Sequence, residues 1–159
     1  HMPPTWDQKL QCDENACPRF ELVMDSAAFL DKETGLVWQK SPGIWDVDWF
    51  GARSACFLSE TGGRKGWRLP TAAELSSLVD PSKSDPALPS GHPFVGVRWD
   101  DVPFTGCYWT DTTTMMPTII NAVNARCCDM FYGSCNNLEK LGNDEYVWCV
   151  RGGQGKSGH

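Results

Sequence analysis

The stretch Gly66-Trp67-Arg68-Leu69-Pro70-Thr71-Ala72-Ala73-Glu74-Leu75 carries the clearest local signal in the chain. Thr71 and Glu74 form the S/T-x-x-E pattern of a capping box, in which each residue satisfies an orphan backbone N–H of the other. A helix is therefore expected to begin at Ala72. Leu75, Leu78 and Val79 repeat at i, i+3 and i+4, which gives it one apolar face. Asp80-Pro81 ends it, because a residue before proline is pushed out of the helical region. Residues 67–70 read as an extended lead-in.

Working outward, residues 19–25 (RFELVMD) read as a strand, with Phe29-Leu30 still extended. A turn follows at residues 31–35, where Gly35 can take a positive φ, and residues 36–39 return, so residues 19–40 are expected to form a β-hairpin. Asp48 is a plausible N-cap. Trp49, Ala52, Ala55, Cys56 and Ser59 fall on one helical face, and Gly62-Gly63 supplies the stop. Residues 81–105 read as an ordered loop, because Phe94, Val95, Val97, Trp99 and Phe104 need burial. Strands are expected at residues 107–110, 119–123 and 145–151. Residues 124–143 read as a long surface excursion.

The chain has 159 residues, which suits one domain. His1-Met2 reads as an expression scar. Residues 1–18 are taken as that scar plus an irregular N-terminal segment, 19–154 as the domain, and 155–159 as a flexible tail. No apolar run approaches the roughly 20 residues of a membrane-spanning helix. The balance of 14 basic and 20 acidic side chains gives a net charge of −6. That argues against nucleic acid, anionic lipid and sulfated polysaccharide as default partners, since each is held mainly by a basic patch. Arg64, Lys65 and Arg68 read as an ordinary solvated loop.

Eight cysteines is a high and even number: Cys12, Cys17, Cys56, Cys107, Cys127, Cys128, Cys135 and Cys149. They form neither paired CxxC knuckles nor a cysteine–histidine zinc spacing, so disulfides are the better reading. Disulfides imply an extracytoplasmic place: periplasm, cell surface or medium. Cys12 and Cys17 bracket a polar segment and can close a small loop on themselves. Adjacent Cys127 and Cys128 read as belonging to two separate bridges that pin one loop, in preference to a strained vicinal bridge.

No metal site or cofactor is expected. Asp46 and Asp48 read as helix entry and capping, Asp100 and Asp101 as a solvated turn, and neither these nor Asp111 gives the convergent oxygens calcium requires. His92 has no partnered nucleophile. Residues 62–66 are glycine-rich but lack phosphate-loop spacing. Eight tryptophans suggest a core with some rings left for ligand stacking. Aromatic residues mixed with adaptable amides between residues 90 and 143 have the composition of a recognition surface. The candidate ligand-binding residues are Trp99, Tyr108, Trp109, Asn121, Asn124, Phe131 and Tyr132.

Five segments together resemble the Lcl C-terminal domain family of bacterial surface domains: residues 34–40 (TGLVWQK), the Trp49…Cys56 helix, residues 66–75, Tyr108-Trp109-Thr110…Thr112-Thr113, and residues 149–154 (CVRGGQ). The resemblance implies an α+β, C-type-lectin-like fold: a short, mostly antiparallel sheet, two helices and a long disulfide-stapled loop region. By analogy with such folds, Cys56 pairs with Cys149. Cys107, Cys127, Cys128 and Cys135 then supply two bridges in the loop region, and Cys12–Cys17 the fourth. The tripeptides by which calcium-dependent lectins of this fold hold calcium and sugar, Glu-Pro-Asn, Gln-Pro-Asp and Trp-Asn-Asp, do not occur. The resemblance implies a non-enzymatic, extracytoplasmic adhesion or ligand-binding domain, with a surface glycan or protein as partner and a homotrimer as the suggested assembly. Two alternatives use the same general fold. One is a formylglycine-generating-type copper oxidase, with Cys127 and either Cys128 or Cys135 as reduced ligands; the other is a retroelement-diversified ligand-binding protein.

Overall fold

The computed structural model describes residue 12 and residues 17–98, 106–115 and 123–152, with backbone alone at 43–45, 114–115 and 123. Trp99, Asp100, Asp101 and Asn121 lie outside the described residues. So do Ile119 and Ile120, on which one of the expected strands rests.

The first sheet contains β1 (Phe20–Val23), β2 (Ala28–Asp31), β3 (Leu36–Gln39) and β9 (Val150–Gly152), antiparallel in the order β1-β2-β3-β9. The expected single hairpin is thus a three-stranded meander. Met24, Asp25 and Ser26 all take positive φ, which turns the chain sharply and ends the first strand at Val23 instead of residue 25. Gly35 closes the second turn as expected, with φ +79°.

The second sheet follows the order β4-β8-β5-β6-β7, built from β4 (Gly43–Val47), β5 (Cys107–Met115), β6 (Val123–Asp129), β7 (Cys135–Glu139) and β8 (Glu145–Val147). Its pairs are antiparallel except β5 with β8, which run parallel at Tyr108 and Tyr146. The surface excursion read over residues 124–143 is therefore corrected: most of it is the β6–β7 hairpin. β4 falls where no strand was expected. A strand that pairs at only two positions, Gly43 with Val147 and Val47 with Glu145, leaves little periodicity to read.

Two helices pack on the second sheet, the first against β4, β5 and β8 and the second against β5 and β6. In α1 (Trp49–Phe57), Asp48 accepts the N–H of Gly51, and Trp49, Ala52 and Cys56 are buried. In α2 (Ala72–Ser76), Thr71 accepts the N–H of Glu74 while Glu74 accepts that of Thr71, completing the capping box. α2 stops before the expected Val79 because its end tightens into shorter turns: Leu78 N–H donates to Leu75 O and Val79 N–H to Ser76 O. Leu75 and Leu78 are nevertheless fully buried.

Arg68 joins the opening stretch to the rest of the molecule. Its guanidinium forms a two-pronged bond to Glu74, at 2.8 and 2.9 Å, and donates to Gly152 O at 2.7 Å. Its backbone bridges Val150 of β9. The hydrogen bond to Glu74, outweighing burial, holds the guanidinium more firmly charged than usual, with the Glu74 and Asp111 charges adding to it. Burial alone would push the Glu74 carboxyl up, but bonds from Arg68 and Thr71 prevail and hold it below the ordinary range. A second ion pair, Arg19–Asp31, lies in the core; Arg19 also donates to Ser77 O and so ties β1 to the end of α2.

The core has two parts. One gathers Phe20, Phe29, Trp38, Leu75, Leu78, Phe94, Tyr108, Met130 and Trp148. The other gathers Trp49, Ala52, Trp67, Leu69, Trp109, Ala125 and Val147 around the Cys56–Cys149 and Cys107–Cys127 bridges. All the described tryptophan side chains, Trp38, Trp49, Trp67, Trp109 and Trp148, are buried. Trp109, read as a ligand contact, is thus in the core, where removing its indole area from water contributes most.

Candidate functional site

The β6–β7 hairpin presents an aromatic tip. Asp129, at the end of β6, accepts the N–H groups of Phe131 and Tyr132 on its Oδ1, at 2.9 and 2.8 Å. Its own N–H donates to Ser134 O across the turn. Gly133 follows with φ +78°, and a Cβ there would sit 2.4 Å from Val79 Cγ1, so only glycine lets the tip press this closely on the segment after α2. Met130 O and Phe131 O accept N–H groups from Ala87 and Asp85. Below the tip, Cys128–Cys135 joins the two strands. The Phe131 and Tyr132 rings meet edge to face with centroids 4.5 Å apart, and Tyr132 is 54% exposed while Phe131 is half-buried. An exposed ring on a backbone fixed from several sides loses little freedom on contact with a partner.

Adjacent Cys127 and Cys128 point to opposite faces of β6, as successive strand residues must. Cys127 bridges Cys107 of β5 and Cys128 bridges Cys135 of β7, one into each half of the core. Cys56–Cys149 and Cys12–Cys17 complete the set.

Of the residues read as ligand contacts, Phe131 and Tyr132 lie together at the tip. Tyr108 and Trp109 are fully buried, which corrects their reading. They occupy β5, between β8 and β6, and alternate into the two halves of the core. Tyr108 Oη accepts the N–H of Arg98, and Trp109 Nε1 donates to Val47 O. Their polar atoms and their faces are occupied by the protein itself. Asn124 is half-buried on β6, with its Oδ1 lacking a hydrogen-bond partner among the described residues. Trp99 and Asn121 are outside the described residues.

For metal binding, Cys107 Sγ, Cys127 Sγ and a Glu145 carboxylate oxygen lie within 4.8 Å of one another. The two sulfurs are bonded to each other and offer no thiolate. Glu145 instead accepts the Cys107 N–H. Asp48 is spent on the cap of α1, and Asp111 is exposed. In the loop around Lys65, two cations are partnered: Lys65 with Glu60, Arg68 with Glu74. His92 is half-buried against Phe94, and burial lowers its pKa, favouring the neutral ring.

A second surface was missed at the sequence level. The outer side of α1 exposes Phe50, Phe57 and Leu58, the last two at 77% and 71%. Beside it opens a cleft of about 590 Å³ between α1 and strands β3, β4 and β8, with Val47, Gly51, Ala55, Leu58 and Val147 among its walls. The signal was present: assigning Trp49, Ala52 and Cys56 to the inner face leaves three large apolar residues pointing out.

Residues 27–151 match the family model of the Lcl C-terminal domain. The chain belongs to the Lcl C-terminal domain family. No curated protein matches it. The matched range takes in the capping-box stretch, α1 and its cleft, the β6–β7 tip, and every bridge of this Lcl domain except Cys12–Cys17. β1 lies outside it.

Proposed function

We propose that this Lcl domain is a non-enzymatic binding module of an extracytoplasmic adhesin, recognising a carbohydrate or protein on a surface through the β6–β7 tip of a C-type-lectin-like fold. The observation that carries this reading is the exposed Tyr132 ring beside Phe131, held by Asp129, Gly133 and the Cys128–Cys135 bridge. A tyrosine offers a flat apolar face and a hydroxyl at small entropic cost, which suits sugar stacking and protein contact alike. Four disulfides fit an oxidising compartment. No helix among the described residues is long and apolar enough to cross a membrane. Family membership supports a surface role.

The copper-oxidase alternative needs a reduced cysteine pair. Cys127 and Cys128 are each bridged, and no cysteine is free, which favours the binding reading. Glycan arrays and a panel of purified surface proteins, probed with the wild-type domain and with Tyr132→Ala, test the proposal. Wild-type binding that falls about tenfold in the variant is expected. Blank panels, or binding indifferent to Tyr132, would sink it.

A further inference from the structure

The second sheet ends on two edge strands, and they differ. β4 is paired at only two positions, with a register shift between them. β7 keeps an unbroken register with β6 over all five of its residues, Cys135 to Glu139. It carries neither proline nor lysine, the residues that commonly blunt an edge. In the first sheet, the outer side of β9 is taken by the Arg68–Val150 bridge, and β1 runs into the left-handed turn at Met24.

The ladder fixes which groups of β7 face outward. Asp129 N–H donates to Ser134 O, so these two residues form a hydrogen-bonded pair. Such pairs alternate along an antiparallel ladder. Asn136 and Leu138 therefore bond to β6, while the N–H and C=O groups of Cys135, Asn137 and Glu139 point away from it. Two side chains already reach that open side: Arg126 Nη2 donates to Cys135 O at 3.2 Å and Asn143 Nδ2 to Glu139 O at 3.0 Å. No bond among the described residues engages the outward N–H and C=O of Asn137.

Charge follows the same edge. Arg126 lies opposite Asn137, and so on the face of the sheet that carries Cys135 and Glu139. Its bond to Cys135 O brings the guanidinium across β7 to the open side. Neither Arg126 nor Glu139 forms a salt bridge among the described residues. The edge thus holds a cation without a carboxylate at its Cys135 end and a carboxylate without a cation at its Glu139 end.

We propose that β7 pairs with β7 of a second copy of this chain, antiparallel about a two-fold axis through Asn137, so that the two second sheets become one. In that register Asn137 faces its own counterpart, and Cys135 faces Glu139 of the other copy. All of these are outward-pointing residues, so the backbone groups left over on one copy meet those left over on the other. The carbonyls bonded to Arg126 and Asn143 keep a second lone pair for the new ladder. The axis stands perpendicular to the sheet, which keeps the two faces in common and sets Glu139 of each copy against Arg126 of the other. An unrelated extended peptide would match the backbone, but the chain's own strand matches the charge as well, twice by symmetry. The pairing does not depend on the ligand proposed for the tip.

Sedimentation equilibrium on the full oxidised chain tests it, at loading concentrations up to about 1 mM, because a five-residue strand makes a weak contact. The expected species is a dimer in exchange with monomer. Glu139→Lys and Arg126→Glu should each weaken association about tenfold or more, by setting like charges across the axis. An equimolar mixture of the two variants should recover it: in the mixed pair the introduced lysine meets the introduced glutamate, and the native Glu139 meets the native Arg126. Recovery on mixing separates a contact across the axis from a variant that has merely misfolded. Hydrogen exchange adds a local readout, in which the amides of Cys135, Asn137 and Glu139 gain protection as concentration rises. A wild-type chain that stays monomeric, a trimer, association that neither variant weakens, or a mixture no better than its parts overturns the proposal.

Discussion

The β6–β7 tip and the outer face of α1 both show aromatic rings to solvent, but they are built in opposite ways. At the tip the backbone is the object being fixed: a carboxylate caps two N–H groups, a left-handed glycine packs against Val79, and a bridge closes the strands beneath. On α1 the backbone is an ordinary helix whose inner face builds the core, and the exposed rings are what remains on its other side. The tip is specified residue by residue. The α1 face is specified by the helix's attachment, above all Cys56–Cys149. Removing an anchor should therefore disturb one surface and spare the other.

The largest effect is expected from the double variant Cys56→Ser/Cys149→Ser. That bridge closes a sequence separation of 93 residues, so its loss should destabilise by about 4 kcal/mol in the chain-entropy model. Denaturant unfolding measures the change. Hydrogen exchange should show α1 losing protection first, with the tip retained while Cys128–Cys135 is intact. If both regions open together, the two surfaces are not independently held.

Asp129→Ala comes next, at about 2 kcal/mol, because two tip N–H groups lose their acceptor. Asp129→Asn keeps an acceptor oxygen, and since Oδ2 has no partner among the described residues, it should change stability by less than about 1 kcal/mol. Equal losses for the two variants would show that the carboxylate charge, not the turn it caps, holds the tip.

The smallest effect is the pH dependence, which separates scaffold from surface. Burial lowers the His92 pKa, so as pH falls past about 6 the unfolded chain takes up the proton first and stability declines. The lowered pKa of Glu74 gives stability that is complete above the ordinary carboxyl range and is lost as pH falls below about 4. His92→Gln should flatten the first decline and leave the second. Urea midpoints measured across pH 3 to 8 check this; a single step unaffected by His92→Gln refutes it.

Much of the scaffold could be read from residues alone, since the signals were local. Thr71 and Glu74 lie three apart and cap each other within one turn. Asp48 caps α1 as its position before Trp49 required. Gly35 turns where a positive φ was needed. The candidate site was legible only in part. Tyr132 and Phe131 belong to the surface, but nothing in the composition of Tyr108-Trp109 told that pair apart from them. Aromatic residues serve cores and recognition surfaces equally well, and it is the central place of β5 in its sheet that buries one pair.

The sequence by itself determined the capped helices, the disulfide chemistry and the family, because these rest on short spacings and residue types. Tertiary structure decided which cysteine of the 127–128 pair meets which partner, which aromatics stay in water, and that α1 carries an uncovered apolar band beside a cleft. Those outcomes depend on strands brought together from distant parts of the chain, where a side chain's neighbours, not its identity, set what it can touch.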